Sequence, residues 1–166
     1  MTTLESSEVI APVITVSASN YVMSSDRKLT LDVGCGCKCL GDINVDLDLN
    51  MPCDFVVDLD TLPLNYSNKK FRKVICNHVL EHLHNPEKTL DEFLRISRVV
   101  EIRVPHKWGS LARHDPSHKW FCFNLKWFVA YAASRKVNVQ GYTGFDWTRF
   151  SFRFPFPLET VAWLWE

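Results

Sequence analysis

Short apolar runs that each end in a polar side chain recur along the chain from Lys28 onward. The runs cover residues 29–32, 43–46, 55–58, 73–77 and 99–104. Continuous runs rich in Val, Ile and Leu are typical of strands in a parallel sheet that is covered on at least one face. Ligands of open parallel sheets bind beyond the carboxyl ends of the strands. The pattern therefore predicts that Asp32, Asp46, Asp58 and Asn77 converge on one crevice.

Two helices are predicted between and after these strands. The first has Asn85 as its N-cap and Pro86 at its first position. The second begins near Asn124 and closes with Arg135 and Lys136, whose charges suit a helix C-terminus. Four strands, a helix, a strand, a helix and a β-rich tail predict an α/β sandwich with a mostly parallel sheet and an antiparallel C-terminal end.

Composition and charge narrow the class of protein. The chain has 166 residues, of which 46% are hydrophobic, and 19 basic residues balance 19 acidic ones. This composition is typical of one globular domain and argues against extended tracking of a nucleic-acid backbone. We expect an N-terminal arm over residues 1–27 and one domain over residues 28–166.

The two parts of the chain differ in charge and aromatic content. Residues 1–107 hold 12 basic and 15 acidic side chains, whereas residues 108–166 hold 7 and 4 and all six Trp. We expect an acidic surface from the first part and an aromatic, mildly basic one from the second.

Targeting signals and cysteine usage predict a cytoplasmic protein with no membrane partner. The first 25 residues carry no Lys or Arg, so the basic start of a signal peptide is missing. No apolar run approaches the roughly 18 residues that a membrane span needs. The six cysteines are scattered apart from one close trio, which favours free thiols over a disulfide framework.

A glycine loop follows the first predicted strand. Gly34 and Gly36 stand directly after Asp32, where missing Cβ atoms let a ligand approach the backbone. The third glycine of a dinucleotide fingerprint is replaced by Cys39, which disfavours a pyrophosphate cradle. The loop is followed in order by Asn-Val-Asp at 44–46, Asp-Leu at 58–59 and Asn-His-Val-Leu-Glu-His-Leu at 77–83.

In this order the motifs resemble those of S-adenosylmethionine-dependent methyltransferases with a Rossmann-like fold, especially a short subgroup related to methyltransferase type 11. The resemblance covers about residues 29–128. It implies S-adenosyl-L-methionine as the cofactor and in-line methyl transfer to an O or N acceptor. The alternative is a non-catalytic module of the same fold that binds the cofactor or a partner.

The resemblance also implies which residues hold the methionine part of the cofactor. Gly34 and Gly36 would face it, and Asp32 would lie near its ammonium group. Asn77 would line the same side, with His78 next to it.

The adenosine part would be held further along the strand ends. Asp46 would accept hydrogen bonds from the ribose hydroxyls, and Asp58 with the Leu59 backbone would read the adenine. Six Asp lie between Asp42 and Asp60. An acidic crevice suits a cofactor that is cationic at sulfur.

The connections between the first strands are shorter than the resemblance implies. Six residues, Cys37 to Asp42, lie between the glycine loop and the second strand, and about eight separate Asp46 from Phe55, whereas a helical crossover needs about a dozen. We expect reduced helices on one face of the sheet. The N-terminal arm, the aromatic tail or a second subunit of a homodimer would then cover that apolar face.

Two sequence patterns resemble metal-binding motifs, but the details of each argue against a metal site. The thiols of Cys35, Cys37 and Cys39 could bind a soft metal, but their alternation in a glycine loop makes joint ligation awkward. His78 to His82 match the H-x-x-E-H pattern of zinc peptidases, which requires a helix. We expect no metal, and a zinc hydrolase remains the weaker alternative.

Histidines after the fifth strand are candidates for proton transfer. His106 and His118 are the candidate catalytic bases, with His114 behind them, because related short methyltransferases carry a similar stretch over the methyl donor. A histidine near its ordinary pKa of about 6.5 is a suitable base. The competing interpretation is that these histidines anchor loops and that catalysis works by proximity alone.

The acceptor is predicted only as a class. The N-P-P-Y turn of base-methylating enzymes is replaced here by residues 77–80. A small molecule, a glycan or a protein is therefore favoured over nucleic acid. The alternating aromatics of residues 150–156 are interpreted first as packing and second as an acceptor wall.

Overall fold

The computed structural model describes residues 29–109, 115–145 and 158–166. The predicted N-terminal arm, His114 and the aromatic run at 150–156 lie outside the described residues. The strands are β1 (Thr30–Val33), β2 (Ile43–Asp46), β3 (Phe55–Val56), β4 (Phe71–Asn77), β5 (Ser97–Pro105), β6 (Asn138–Phe145) and β7 (Leu158–Trp165). The helices are a 3-10 turn at Leu80–His82, α1 (Pro86–Ile96) and α2 (Leu125–Arg135).

The seven strands form one sheet in the order β3-β2-β1-β4-β5-β7-β6. The pairs from β3 to β5 are parallel, and β7 is antiparallel to both β5 and β6. This confirms the predicted Rossmann-like architecture with an antiparallel C-terminal end.

Both predicted helix starts are present, each with a side-chain cap. The Asn85 side chain accepts a hydrogen bond from the Lys88 N–H at 3.2 Å, and Asn124 accepts one from the Trp127 N–H at 2.9 Å. The second helix ends at Arg135, and its C-cap residue Lys136 is left-handed with φ 57°. The two asparagine N-caps thus set the residue at which each helix begins.

Strand β3 is shorter than the predicted run of residues 55–58. The Asp58 carboxylate turns back to accept hydrogen bonds from the Asp60 N–H at 2.9 Å and the Thr61 hydroxyl at 3.2 Å. An Asp that bonds its own following backbone favours a turn over a strand. The prediction of a four-residue strand was wrong for this reason.

Helices α1 and α2 lie next to each other on one face of the sheet. The Tyr131 hydroxyl donates to Asp91 at 2.7 Å, and Arg135 pairs with Glu87 at 2.9 Å. Under them lies a core whose largest fully buried side chains include Phe71, Phe93, Ile102 and Phe128.

Within residues 29–109, no α-helix connects β1 to β2, β2 to β3 or β3 to β4. The expected loss of the first helices is confirmed. The face opposite α1 and α2 is not purely apolar, which corrects the expectation for it. Lys73 pairs with Glu101 at 3.0 Å and Arg103 pairs with Glu159 at 3.2 Å across β4, β5 and β7. The homodimer stays a prediction.

In the part of the chain that the structure describes, neither α-helix has the length and apolar character that crossing a bilayer requires.

Candidate active site

A cleft of about 720 Å³ opens at the carboxyl ends of β1, β4 and β5. The sequence-predicted residues that line it are Asp32, Gly34, Gly36, Asn77, His78 and His118. Glu81 and His82, which belong to the H-x-x-E-H pattern, also line it. The predicted site residues Asp46, Asp58, Leu59 and His106 are not among the described residues of its lining.

The glycine loop at the end of β1 has the backbone that its sequence predicts. Gly34 and Gly36 have φ values of 60° and 53°, a region that side chains disfavour. A Cβ on Gly34 would collide with the Val79 side chain, whereas a Cβ on Gly36 would meet nothing within 4 Å. The first glycine therefore permits close packing, and the second leaves open space at the cleft.

Asp32 is a buried carboxylate at the end of β1. It is 2% exposed, and its Oδ2 accepts a hydrogen bond from the Leu40 N–H at 2.8 Å. Burial raises the pKa of Asp32, and the nearby charge of Asp46 raises it further. Such a group fits a cationic ligand, because a positive charge would stabilise its ionised form.

Asn77 ends β4 with an unsatisfied acceptor. Its Oδ1 is buried and has no hydrogen-bond partner in the structure. A buried polar atom without a partner costs free energy, so a donor from a ligand is favoured there. The next residue, His78, is left-handed with φ 56°, and its N–H donates to the Arg103 carbonyl at 2.7 Å.

Asp46 lies beside the cleft and holds the glycine loop. Its Oδ2 accepts a hydrogen bond from the Gly36 N–H at 2.8 Å, and its Oδ1 accepts one from the Asp48 N–H at 3.0 Å. Parallel pairing of β2 with β1 places Asp46 next to the loop along the sheet edge.

Asp58 and Leu59 stand further along the same edge, beyond β3. The Asp58 carboxylate stabilises its own turn, and the Leu59 side chain is 7% exposed and belongs to the core. The structure therefore brings Asp32 and Asn77 together in one cleft, whereas Asp58 is not part of its described lining.

His106 follows β5, and its ring is held locally. Its Nδ1 accepts a hydrogen bond from the Trp108 N–H at 3.3 Å. Burial lowers the pKa of His106, and the charge of Lys107 lowers it further. The neighbouring Pro105 lines the cleft, so His106 adjoins the site without being part of its described lining.

His118 meets two residues that the sequence analysis did not connect to it. Its Nε2 lies 4.0 Å from the Glu81 Oε1 and 3.6 Å from the Asp115 Oδ2, and its ring stacks edge-on against His82 at 4.8 Å. Backbone hydrogen bonds from Lys119 and Trp120 to the Glu81 carbonyl hold this loop on the 3-10 turn. The H-x-x-E-H pattern covers Glu81 and His82, and His118 was a candidate base, but no pattern in the sequence connects the two segments.

The cysteine trio does not form a joint ligand set. The Cys37 thiol contacts the Met51 sulfur at 3.7 Å, whereas the Cys39 thiol donates to the Pro52 carbonyl at 3.0 Å. Burial, together with a hydrogen bond to Cys39, raises the pKa of Cys35 to about 12. A thiol with so high a pKa is a poor source of the thiolate that a metal needs.

Comparison by sequence matches part of the chain to a known family. A sequence profile of the family described as "Methionine biosynthesis protein MetW" matches residues 54–111, about a third of the chain. No curated protein matches the chain by sequence.

Similarity to solved structures extends over most of the chain. An S-adenosylmethionine-dependent methyltransferase from Archaeoglobus fulgidus shares 16% identity at a TM-score of 0.63, over 82% of this chain and 85% of that one. The YcgJ protein from Bacillus subtilis shares 13% identity at a TM-score of 0.58, and the match covers 82% of this chain and 91% of that one. The plantazolicin methyltransferase BpumL, solved with S-adenosylhomocysteine, shares 15% identity at a TM-score of 0.51. That match covers 82% of this chain and 76% of that one. The chain thus has the fold of class I S-adenosylmethionine-dependent methyltransferases.

Proposed function

We propose that the protein is an S-adenosylmethionine-dependent methyltransferase that acts on an O or N acceptor by in-line transfer. The observation that carries the proposal is the pairing of a buried carboxylate with an unsatisfied acceptor, Asp32 and the Asn77 Oδ1, in one cleft at the strand ends. A similar fold in a methyltransferase solved with S-adenosylhomocysteine supports it.

The residues present fit the methionine part of this cofactor. Asp32 offers a negative charge, and the Asn77 Oδ1 offers an acceptor to an ammonium group. The open space at Gly36 lets a ligand lie against the loop backbone. When bound, S-adenosyl-L-methionine supplies a methyl group on a positively charged sulfur.

The adenosine part would extend along the sheet edge toward β3. Asp46 keeps lone pairs on both carboxylate oxygens beyond the two hydrogen bonds that it accepts within the chain, so it can also accept from ribose hydroxyls. The backbone of Leu59 and the side chain of Asp58 would border the adenine. Asp58 has its carboxylate engaged in its own turn, so we assign it the smaller contribution.

Proton removal from the acceptor is assigned to the side of the cleft that His118 lines. Its Nε2 lies 3.6 Å from the Asp115 carboxylate, which would stabilise the protonated ring after it accepts a proton. The lowered pKa of His106 keeps that ring neutral and able to accept a proton at neutral pH. We assign His106 a supporting role because the described cleft lining does not include it.

The second candidate function is a non-catalytic module that binds the same cofactor. Asp32 and Asn77 would hold the cofactor equally well without turnover. A small molecule, a glycan or a protein is the acceptor class that we propose for the enzyme. The cytoplasmic location and the homodimer stay predictions.

Transfer of labelled methyl groups separates the enzyme from the module. The purified protein would be incubated with methyl-labelled S-adenosyl-L-methionine and a size-fractionated, nuclease-treated extract of the host. We expect label to enter one fraction with wild-type protein and with His84→Ala, whose ring is exposed and pairs with Asp60. His118→Ala should lose at least about tenfold of this transfer. Cofactor binding without any transfer would favour the module.

A further inference from the structure

We propose that Glu81, His82 and His118 bind a divalent first-row metal ion in the cleft. One ligand atom from each of the three residues lies within 4.8 Å of the others. Among the residues that the structure describes, this is the one such group of three or more His, Cys, Asp or Glu side chains. All three residues line the cleft.

The distances are near those of a bound ion. Metal bonds of about 2.0 to 2.1 Å in tetrahedral geometry place ligand atoms about 3.4 Å apart. The Glu81 Oε1 and the His118 Nε2 are 4.0 Å apart. Small side-chain rotations would therefore close the group around an ion.

The state of Glu81 points to a missing positive charge. Its side chain is 1% exposed, and neither carboxylate oxygen accepts a hydrogen bond in the structure. Burying a carboxylate without hydrogen bonds is costly. The His78 Nδ1, at 3.4 Å, is its other near contact and compensates only when that ring is protonated. A divalent cation between Glu81 and the two histidines would supply the charge directly.

The surroundings orient the histidine rings for ligation. The His82 Nδ1 lies 3.3 Å from the Ser117 carbonyl oxygen and 3.2 Å from its hydroxyl. Donation from Nδ1 to that carbonyl leaves the lone pair on Nε2, which is the arrangement usual for a metal-bound histidine. The Lys119 and Trp120 N–H groups donate to the Glu81 carbonyl at 2.7 and 3.2 Å. The two segments that carry the ligands are thereby fixed to each other.

The ligand set selects the kind of ion. Two imidazoles and one carboxylate suit Zn²⁺, Mn²⁺ or Fe²⁺ better than they suit Mg²⁺ or Ca²⁺, which prefer oxygen ligands alone. Three protein ligands leave coordination positions open. Asp115, whose Oδ2 is 3.6 Å from the His118 Nε2, is placed to contribute a fourth ligand.

Metal binding needs no methyltransferase activity, but its use in the reaction rests on the proposed function. An ion in this cleft would bind an acceptor hydroxyl and lower its pKa. The acceptor oxygen would release its proton to solvent and form the new O–CH₃ bond as the S–CH₃ bond breaks, with its electron pair left on sulfur. His118 would then act through the ion rather than as a free base, and oxygen acceptors would be favoured over nitrogen.

The test is calorimetric titration of metal-free protein with Mn²⁺ and, separately, with Zn²⁺. We expect one site per chain for at least one of these ions. Glu81→Gln and His118→Ala should each weaken that site at least about tenfold, as loss of a ligand does. His84→Ala is the matched control and should bind as the wild type does. Circular dichroism of each variant reports whether it is folded.

Two results would overturn the proposal: a folded wild type that binds neither ion, or binding that is unchanged in both Glu81→Gln and His118→Ala. If His118→Ala does not fold, Glu81→Gln decides the matter together with the Mn²⁺ electron paramagnetic resonance signal of the wild type. That signal should broaden on binding and stay that of the free ion if the site does not exist. Titration of the metal-free wild type with S-adenosylhomocysteine separates a failure of the cofactor site from a failure of the metal site.

Discussion

The Asp46 carboxylate accepts a hydrogen bond from the Gly36 N–H at 2.8 Å, so the end of β2 holds the glycine loop that follows β1. One residue thus joins the two strand ends that the cofactor would bridge. Its other oxygen bonds the Asp48 N–H, which fixes the carboxylate in place. Changes at Asp46 should therefore affect both the loop and the cofactor.

Asp46→Ala should weaken S-adenosylhomocysteine binding more than Asp46→Asn does. The amide keeps an oxygen for the Gly36 N–H, whereas alanine removes the charge and the hydrogen bond, worth about 1.5 to 3 kcal/mol. Calorimetry should show a loss of about tenfold or more for Asp46→Ala. Asp48→Ala, which removes a nearby exposed carboxylate, is the control. Equal affinities for Asp46→Ala and the wild type would refute the role.

Alanine substitutions at the two loop glycines should differ in kind. Gly34→Ala adds a collision with Val79 to a positive φ, so its free energy of unfolding should fall by about 2 to 4 kcal/mol. In Gly36→Ala the added methyl group meets no neighbouring atom, so the free energy of unfolding should fall by about 1 to 2 kcal/mol from backbone strain alone. Urea denaturation measures both values. Gly36→Ala should in addition weaken cofactor binding, because its methyl group enters the cleft.

A second substitution separates collision from backbone strain at Gly34. In Gly34→Ala combined with Val79→Ala, the collision is gone but the positive φ remains. The double variant should therefore lose less stability than the sum of the two single variants. Strict additivity in urea denaturation would show that Val79 is not the obstacle.

The raised pKa of Asp32 predicts opposite effects on folding and on binding. A carboxyl whose pKa is raised in the folded state makes folding less favourable at neutral pH, where it is ionised. Asp32→Asn should therefore unfold at an equal or higher urea concentration. The same variant should lose cofactor affinity. Wild-type affinity should also fall as the pH drops through the raised pKa, and this dependence should flatten in Asp32→Asn when calorimetry is repeated across pH.

Glu92 should show the reverse pH dependence of stability. Hydrogen bonds from Arg95, at 2.6 and 2.8 Å, lower the pKa of this buried carboxyl, and the Leu64 N–H adds a third bond at 2.7 Å. The ionised Glu92 carboxylate stabilises the fold fully above the pKa that it has in the unfolded chain. This stabilisation is lost as the pH falls through the lowered pKa of the folded state. In Glu92→Gln the free energy of unfolding should fall by about 1 to 3 kcal/mol at neutral pH. The loss should shrink in acid; a loss independent of pH would contradict the assignment.

The parts of the fold that the sequence predicts depend on local signals. Asn85 and Asn124 cap helices because their side chains reach N–H groups only three residues away. The strand ends at Asp32 and Asn77 stand out because an apolar run stops abruptly. Asp58 shows the limit of such signals, because a turn-forming Asp and a strand-end Asp look alike in the sequence.

The cluster of Glu81, His82 and His118 could not be predicted in the same way. His118 is 36 residues from His82, and the contact depends on backbone hydrogen bonds from Lys119 and Trp120 to the Glu81 carbonyl. Bonds between irregular segments leave no periodic trace in the sequence. The ion pair between Arg103 and Glu159 joins two regular strands, and it was missed because the pairing of β5 with β7 is not visible in the sequence.

Titration of S-adenosylhomocysteine into the wild type and Asn77→Ala decides whether this cleft holds the cofactor. The unsatisfied Asn77 Oδ1 should gain its donor from the ligand, so the wild type should bind one molecule per chain and Asn77→Ala should bind at least about tenfold more weakly. Asn50→Ala, which changes an exposed turn residue, should bind as the wild type does. A folded wild type that binds no S-adenosylhomocysteine, or equal binding by Asn77→Ala, would contradict the account.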